Sequence, residues 1–397
     1  MPNELTSERI IFLNQTVGPL FRELVEDSAK SCGQVFLFSG SEAKHPVLDG
    51  KLINFAAPTY NRRSTFTRLF SWVHYFIKAL QFVFPLRSNS LLFIVTNPPF
   101  LGLVGLFFKL LRNQKYVVLV YDIYPDLLVG MGTLRKGLIS QIWSKMNRLV
   151  LEHASLVFTI GDDMASLLEK SYDLSRTATG RSIVIHNWCD VDKIKPLAKQ
   201  DNAFAIKHEQ LGKITVLYSG NMGNTHDIES ILAVARELKD HETIHFLFIG
   251  EGAKWSLVEK TMENEGLDNI TLLPFQLEEV LPNSMATGDI GIVAYQPGTE
   301  ACIVPSKTCY YMAAGLVPLV ISGMETDLSL MLVKNSCGMS VRSGDIEGLK
   351  LAILTMAKDA ELLNQYKMAA RATAEHLFSR RNTEQYIEAL KQYDLIE

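Results

Sequence analysis

The chain has 397 residues, 47% of them hydrophobic and 21% charged, enough apolar material for two domains with a core each, which excludes disorder of the whole chain. Its five cysteines (Cys32, Cys189, Cys302, Cys309 and Cys337) are an odd number without CxxC spacing. With no N-terminal apolar stretch of the secretory kind, a disulfide framework and a zinc site lose support, and a reducing cytoplasm fits best. The net charge of -4 hides a segment from Gly50 to Tyr121 that has no Asp or Glu, yet holds Lys51, Arg62, Arg63, Arg68, Lys78, Arg87, Lys109, Arg112 and Lys115.

In chain order, short β-rich runs alternate with helical patterns, which indicates parallel sheets with crossover helices. First-half strands are expected at Ile10 to Leu13, Gln34 to Phe38, Leu91 to Val95, Tyr116 to Tyr121, Leu156 to Ile160 and Ser182 to His186. Between the second and third of these, Thr65 to Phe84 places Phe66, Leu69, Phe70, Val73, Phe76, Leu80 and Val83 at helical spacing, a set that core packing explains. Trp72, Tyr75 and Phe82 then remain on other faces, more apolar surface than a solvated helix carries. Together with the cations they point to docking on an anionic membrane surface; burial inside a large domain is the alternative. Nucleic acid would satisfy the charge as well, but it is not among the expected partners. The apolar run Phe100 to Leu111 is too short to span a bilayer and Asn97-Pro98-Pro99 interrupts the stretch from Leu91, so no transmembrane helix is expected.

Thr96-Asn97-Pro98-Pro99 and Asp122-Ile123-Tyr124-Pro125-Asp126 directly follow strands, at the carboxyl ends where open α/β sheets place ligands. Asn187-Trp188-Cys189-Asp190-Val191-Asp192 and the polar stretch behind it break the pattern near mid-chain and read as an interdomain connection. A second strand series follows at Lys213 to Tyr218, Thr243 to Ile249, Ile270 to Leu273, Asp289 to Ala294 and Val317 to Ile321. No period of roughly 20 to 50 residues repeats, which leaves two nucleotide-binding-type domains. After Tyr218 comes Ser219-Gly220-Asn221-Met222-Gly223-Asn224-Thr225-His226, and after Ile249 comes Gly250-Glu251-Gly252-Ala253-Lys254, each before a helical pattern. Glycines there allow close backbone approach, and free N–H groups at a helix start attract phosphate oxygens. Tight strand-to-helix turns are the plain explanation for either loop taken singly. A third block, Val304 to Pro318, enters a helix at Pro305 and leaves it at Gly315.

Together the Tyr-Ser-Gly-Asn-Met-Gly and Ile-Gly-Glu-Gly turns and the Pro305-Ser306-Lys307 block resemble the donor domain of retaining GT-B glycosyltransferases of the glycosyltransferase family 4 type. Thr96-Asn97-Pro98-Pro99, Asp122-Ile123-Tyr124-Pro125-Asp126 and His186-Asn187-Trp188-Cys189-Asp190 look like a bacterial branch of it that builds surface polysaccharides and O antigens. The resemblance runs from about Ile10 to the C-terminus. It implies an α/β, GT-B fold of two Rossmann-like domains facing across a central cleft: residues 1–188 for the acceptor, 200–375 for the donor, and a C-terminal helix, 376–397, crossing back. It also implies a hexosyltransferase that moves a sugar, with retention, from a nucleotide-sugar donor to a lipid, lipid-linked or polysaccharide acceptor. The expected location is cytoplasmic, peripheral on the inner face of the cell membrane, with no cofactor. No metal is expected, because the donor half has no Asp-x-Asp pair at a strand end and helix N-termini with lysines can carry the diphosphate charge.

The resemblance assigns Gly220, Asn221, Gly250, Lys254, Pro305, Ser306, Lys307, Tyr310 and Glu300 to the donor, Gly18 and Asn97 to the acceptor side, and Asp122 to catalysis. Lys254 and Lys307 are candidates for neutralising a diphosphate, ordinary solvation being the alternative for each. In the family two glutamates separated by seven residues contact the donor sugar and the ribose; the matched positions here are Cys302 and Tyr310, with Glu300 two residues before the first. A tyrosine hydroxyl can make one ribose hydrogen bond but lacks the two acceptor oxygens of a carboxylate. His226 stands where many relatives carry a diphosphate-binding lysine. Asp122 would orient the acceptor hydroxyl or assist removal of its proton, a turn cap being the alternative. Gly18 would leave room for the acceptor and the diphosphate. The rival functions are a sugar-nucleotide epimerase of the same fold and a non-catalytic scaffold, the latter motivated by Cys302 and Tyr310.

Overall fold

A computed structural model describes residues 9–40, 51–61 and 65–396. Arg62 and Arg63, part of the cationic segment, lie outside the described residues. The chain divides into two compact units: the first is Met1–Val129, Leu134–His186 and Arg381–Glu397, the second Gly130–Thr133 and Asn187–Arg380.

The first unit holds β1 (Arg9–Leu13), β2 (Gln34–Ser39), β3 (Leu52–Ala56), β4 (Leu91–Val95), β5 (Tyr116–Val120), β6 (Leu156–Thr159) and β7 (Ile183–Val184), paired in the order β3-β2-β1-β4-β5-β6-β7. The second holds β8 (Ile214–Ser219), β9 (Ile244–Ile249), β10 (Ile270–Leu273), β11 (Ile290–Ala294), β12 (Val317–Ser322) and β13 (Met339–Arg342), in the order β10-β9-β8-β11-β12-β13. Every pairing is parallel. The reason is in the sequence: runs such as Leu91–Val95 are apolar at every position and wholly buried, which suits strands covered by helices on both faces. In both sheets the strand order reverses beside the first strand, between β1 and β4 and between β8 and β11. Ligand crevices of open α/β sheets form at such reversals.

Phe12 packs on Phe93 at 4.9 Å between ring centroids, and Tyr386 of the helix Asn382–Gln392 packs on Phe158 at 5.0 Å. That aromatic contact explains why the C-terminal segment belongs to the first unit. In the second unit, Val216, Phe246, Ile292 and Leu319 lead a core closed by Ile231, Val258 and Ile353 from the flanking helices.

Three features differ from the sequence expectation. β3 and β13 are additional strands, both at sheet edges. β13 alternates half-buried and exposed residues, so it lacks the continuous apolar run that marks the central strands. The strand expected at Ser182 to His186 pairs only over Ile183–Val184. The helix Thr65–Val83 turns the other way round from its expected packing. Ser71, Tyr75 and Ala79 are buried, whereas Phe66 is 79% exposed, Phe70 65% exposed, and Leu69, Val73 and Ile77 also face outward; of the expected core set only Val83 is fully buried, with Phe76 and Leu80 half-buried. Aromatic contacts decide this orientation: Tyr75 donates its hydroxyl to Phe38 O at 2.8 Å, and Phe82 stacks on Phe38 at 4.6 Å and packs tilted on Phe55 at 4.8 Å. The small side chains of Ser71 and Ala79 let the helix approach the sheet.

One buried charge cluster anchors the second unit. Asp289, just before β11, accepts Lys199 Nζ and Lys367 Nζ at 2.5 Å each and the Thr215 backbone N–H at 2.8 Å. Burial pushes its carboxyl up, but the two ammonium groups outweigh burial and hold it below the ordinary aspartate range. Because the folded-state value is depressed, this contribution to stability is full above the unfolded-state range and is lost as pH falls through the folded-state value. Asp289→Asn leaves two lysines without their shared counter-charge and should cost about 3–5 kcal/mol of unfolding free energy, checked by urea denaturation at neutral pH.

Candidate functional site

The carboxyl edge of the second sheet carries two interlocked turns. β8 runs into Gly220 at φ 133°, and β9 into Gly250 at φ 150° and Gly252 at φ 145°. A Cβ on Gly250 would lie 1.8 Å from Gly220 O, and one on Gly252 would lie 2.6 Å from Met222 O. Only glycine permits that approach at those dihedrals. The turns are zipped by Gly220 N–H to Ile249 O (2.8 Å), Met222 N–H to Glu251 O (2.7 Å) and Lys254 N–H to Met222 O (2.9 Å). The helices Ile228–Glu237 and Trp255–Glu265 follow.

The helix Lys307–Ala313 packs against this turn pair through Tyr311, which the sequence did not single out. Its hydroxyl accepts the Ser219 N–H at 2.7 Å, and its ring occupies the space where a Cβ on Gly291 would come within 2.5 Å of Cδ2. The spacing of a buried tyrosine one turn from Lys307, opposite a glycine in the neighbouring strand, is the one signal that could have marked it. Pro305 and Ser306 precede the helix, with Pro305 O accepting the Thr308 N–H and hydroxyl and Ser306 exposed.

Lys307 carries its Nζ inward, 3.6 Å from the Tyr218 ring centroid and without a hydrogen-bond partner. Burial lowers its amine to about 7. An aromatic face offers a desolvated cation about 2 kcal/mol, while removal of an ion from water costs several kcal/mol, so desolvation wins. Lys254 is engaged differently from the expectation of a phosphate-facing amine: Nζ donates to Glu229 Oε2 at 2.6 Å and His226 O at 2.7 Å. His226 is buried with Nδ1 3.1 Å from Ala294 O. Burial first, then the nearby Lys307, lowers its imidazole to about 3 despite that bond, so it stands neutral and does not replace a lysine's charge.

Glu300 is likewise committed within the protein. Oε2 accepts the Gly298 N–H and Oε1 the Gly323 N–H, each at 2.7 Å, and the residue is buried. It ties the loop after β11 to the loop after β12. Cys302 is buried and Tyr310 half-buried, so the two matched positions keep their non-acidic side chains on the same stretch of chain. Asn221 is exposed between the turns, and its carbonyl accepts the Tyr218 hydroxyl at 2.8 Å.

In the first unit, Gly18 caps the helix Pro19–Ser31 after β1; a Cβ there would meet nothing within 4 Å. Asn97 follows β4, beside Thr96, whose Oγ1 accepts the Tyr121 N–H at 3.0 Å and the Asp122 N–H at 3.4 Å. That bond pair brings the ends of β4 and β5 together. Asp122, half-buried, lines a pocket with Thr96, Phe100, Tyr124, Asn147 and Tyr172. Two of these lining rings rest on Trp143, which is stacked on Tyr124 at 5.7 Å and tilted on Phe100 at 4.6 Å, next to the Asp122 pocket wall. Its carboxylate accepts no hydrogen bond among the described residues, and burial raises its carboxyl to about 6. A turn cap would show the opposite: a bonded carboxylate with a lowered value.

Residues 213–359 match the family described as glycosyl transferases group 1. Two curated relatives are glycosyltransferases by name. WbjE of Pseudomonas aeruginosa is 28% identical over 65% of this chain and 64% of its own length. WcaI of Escherichia coli K12, assigned by name to colanic acid biosynthesis, is 26% identical over 68% of this chain and 66% of its own. The match thus spans just under two thirds of each relative. Among solved structures, a sucrose-phosphate synthase from Thermosynechococcus elongatus superposes with a TM-score of 0.75 at 16% identity, covering 97% of this chain and 98% of that one. HepE of Anabaena, solved with UDP, gives 0.71 at 15% identity over 97% and 100%. The fold is therefore that of GT-B glycosyltransferases, with two Rossmann-like parallel-sheet units.

The turn pair generates a direct test. Gly250→Ala places a methyl group against Gly220 O at a left-handed φ and should cost about 2–4 kcal/mol. Gly266→Ala, where a Cβ meets nothing within 4 Å at φ 60°, should cost only about 1 kcal/mol. Thermal unfolding of the two variants side by side checks the difference.

Proposed function

We propose that this chain is a glycosyltransferase that takes a nucleotide sugar on its second unit and transfers the sugar to an acceptor held by the first. The observation that carries this is the turn pair at the carboxyl edge of β8 and β9, with the enclosed Lys307 amine beneath it, inside the stretch that matches group 1 glycosyl transferases. The peptide N–H groups and one amine suit a diphosphate. Gly220, Asn221, Gly250, Pro305, Ser306, Lys307 and Tyr310 form the donor side, while Glu300 and Lys254 hold the surrounding loops. The likeness to WcaI, named for colanic acid biosynthesis, supports a polysaccharide or lipid-linked acceptor.

Transfer with retention needs no covalent nucleophile. The acceptor oxygen bonds to the anomeric carbon on the face from which the diphosphate departs, the carbon–oxygen bond to the diphosphate breaks, and the acceptor proton passes to the departing phosphate oxygen. Asp122 orients the acceptor hydroxyl by accepting its hydrogen bond, with Asn97 and Gly18 bordering the same edge of the sheet. Incubation with a panel of nucleotide sugars tests the reading: slow donor hydrolysis and acceptor-dependent transfer support it, interconversion of the sugar points to an epimerase, and absence of any nucleotide-sugar binding points to a scaffold.

The location we propose is the cytoplasmic face of the membrane, as a peripheral protein. No helix among the described residues is long and apolar enough to cross a membrane. The outward stripe Phe66, Leu69, Phe70, Val73 and Ile77, beside Arg68 and Lys78 in a segment without acidic residues, supports attachment to an anionic surface.

Two outcomes are expected. Turnover should rise with pH through about 6, where Asp122 ionises, because the charged carboxylate accepts the hydroxyl's hydrogen bond more strongly than the protonated acid does. Asp122→Asn should lose that limb and lower kcat about 100-fold with donor affinity retained, read from pH–rate profiles. In sedimentation with vesicles, Arg68→Glu with Lys78→Glu should weaken binding to anionic lipid by about 1 kcal/mol per cation removed, or more since the sign is reversed, and salt should abolish the difference.

A further inference from the structure

Lys307 is the only lysine among the described residues whose Nζ is enclosed without a partner. Its surroundings supply no counter-charge. Tyr218 of β8 presents its ring and spends its hydroxyl on Asn221 O. Tyr311, on the same helix as Lys307, spends its hydroxyl on Ser219. His226, in the turn after β8, is neutral and rests on Ala294 O. Lys254, at the start of the helix after β9, is paired with Glu229, and both oxygens of Glu300 are taken by Gly298 and Gly323. The amine nevertheless lies directly against the turn pair: a Cβ on Gly220 would be 3.4 Å from Lys307 Cε and 3.6 Å from Nζ. The position is therefore poor for an ammonium ion while the turns are empty and good for one once an anion sits on them.

We propose that above neutral pH Lys307 is mainly uncharged in the free protein and takes up a proton from solvent as a nucleoside diphosphate enters the Gly220–Gly250 turn pair, so that anion capture and protonation of this amine are one coupled event. This rests on the donor-site reading and deepens it. The diphosphate supplies both the acceptors and the negative charge that the pocket lacks, and burial, which lowers the amine to about 7 in the free protein, is offset when it arrives. The bound form then holds one proton more than the free form. Affinity accordingly falls as pH rises above the free-state value, by about tenfold per pH unit until the bound-state value is reached.

The experiment is a pH titration of the protein labelled with ε-13C lysine, alone and with UDP or GDP in millimolar excess, with Lys307→Met to assign the resonance. The expected result is a free-state midpoint near 7 that moves up by at least about one unit with a nucleotide bound. UDP or GDP affinity, measured by calorimetry, should lose its fall above neutral pH in Lys307→Met. A free-state midpoint near that of an ordinary lysine overturns the proposal. So does a nucleotide that shifts the Gly220 and Gly250 amides while the Lys307 midpoint stays in place; that outcome leaves the donor site standing. If neither nucleotide shifts any of these resonances, the donor-site reading falls and the coupling with it.

Discussion

The backbones of Gly220 and Gly250 touch, and the organisation of the second unit's carboxyl edge depends on that contact. β8 and β9 run in register from Ile214 opposite Ile244 to Ser219 opposite Ile249, and the chain continues past both strand ends without separating. A side chain at Gly250 would force the turns apart. Because they stay together, their N–H groups and carbonyls zip one turn to the other, and the two following helices start side by side. Tyr311 then locks the helix Lys307–Ala313 beneath the same turns through Ser219. The location of the Lys307 amine is a consequence of that packing.

Burial is the common cause of the two displaced titrations that matter most. It disfavours the charged form of either sign, so it raises Asp122 to about 6 and lowers Lys307 to about 7. Groups of opposite charge are thereby brought to nearly the same value, close to neutrality. Asp289 is the contrast within the same molecule. It is deeply buried as well, yet Lys199 and Lys367 hold it low, and its role is to anchor β11.

The absence of the two motif glutamates acquires a physical meaning from Glu300. Its carboxylate bonds two loop N–H groups, so it substitutes for neither missing group. Near the turns the helix presents a cation, Lys307, against Gly220, while Tyr310 stands half-buried on the same helix.

The central strands were legible in the sequence because they are continuous apolar runs, and so were the turns, because glycine clusters directly after such runs have few other uses. The loops after β4 and β5 hold no glycine and were legible because they directly follow apolar runs. The edges were not: β3 and β13 pair on one side only and need no strong pattern, and β7 keeps two residues of the five expected. The helix Thr65–Val83 was recognised by its period, yet its orientation depended on which of its aromatic residues met Phe38 and Phe55, and a stripe of apolar residues on every side leaves that choice to the tertiary contacts. Lys254 and Lys307 show the same division. Each follows a phosphate-type sequence pattern, and the sequence could not separate them, because a lysine's flexible stem lets its amine reach partners several residues away. Folding gave Glu229 and a backbone carbonyl to Lys254 and gave Lys307 only an aromatic face. The sequence determined that two cations stand near the turns; tertiary packing, by supplying acceptors to one and excluding water from the other, decided which amine is available to an anion.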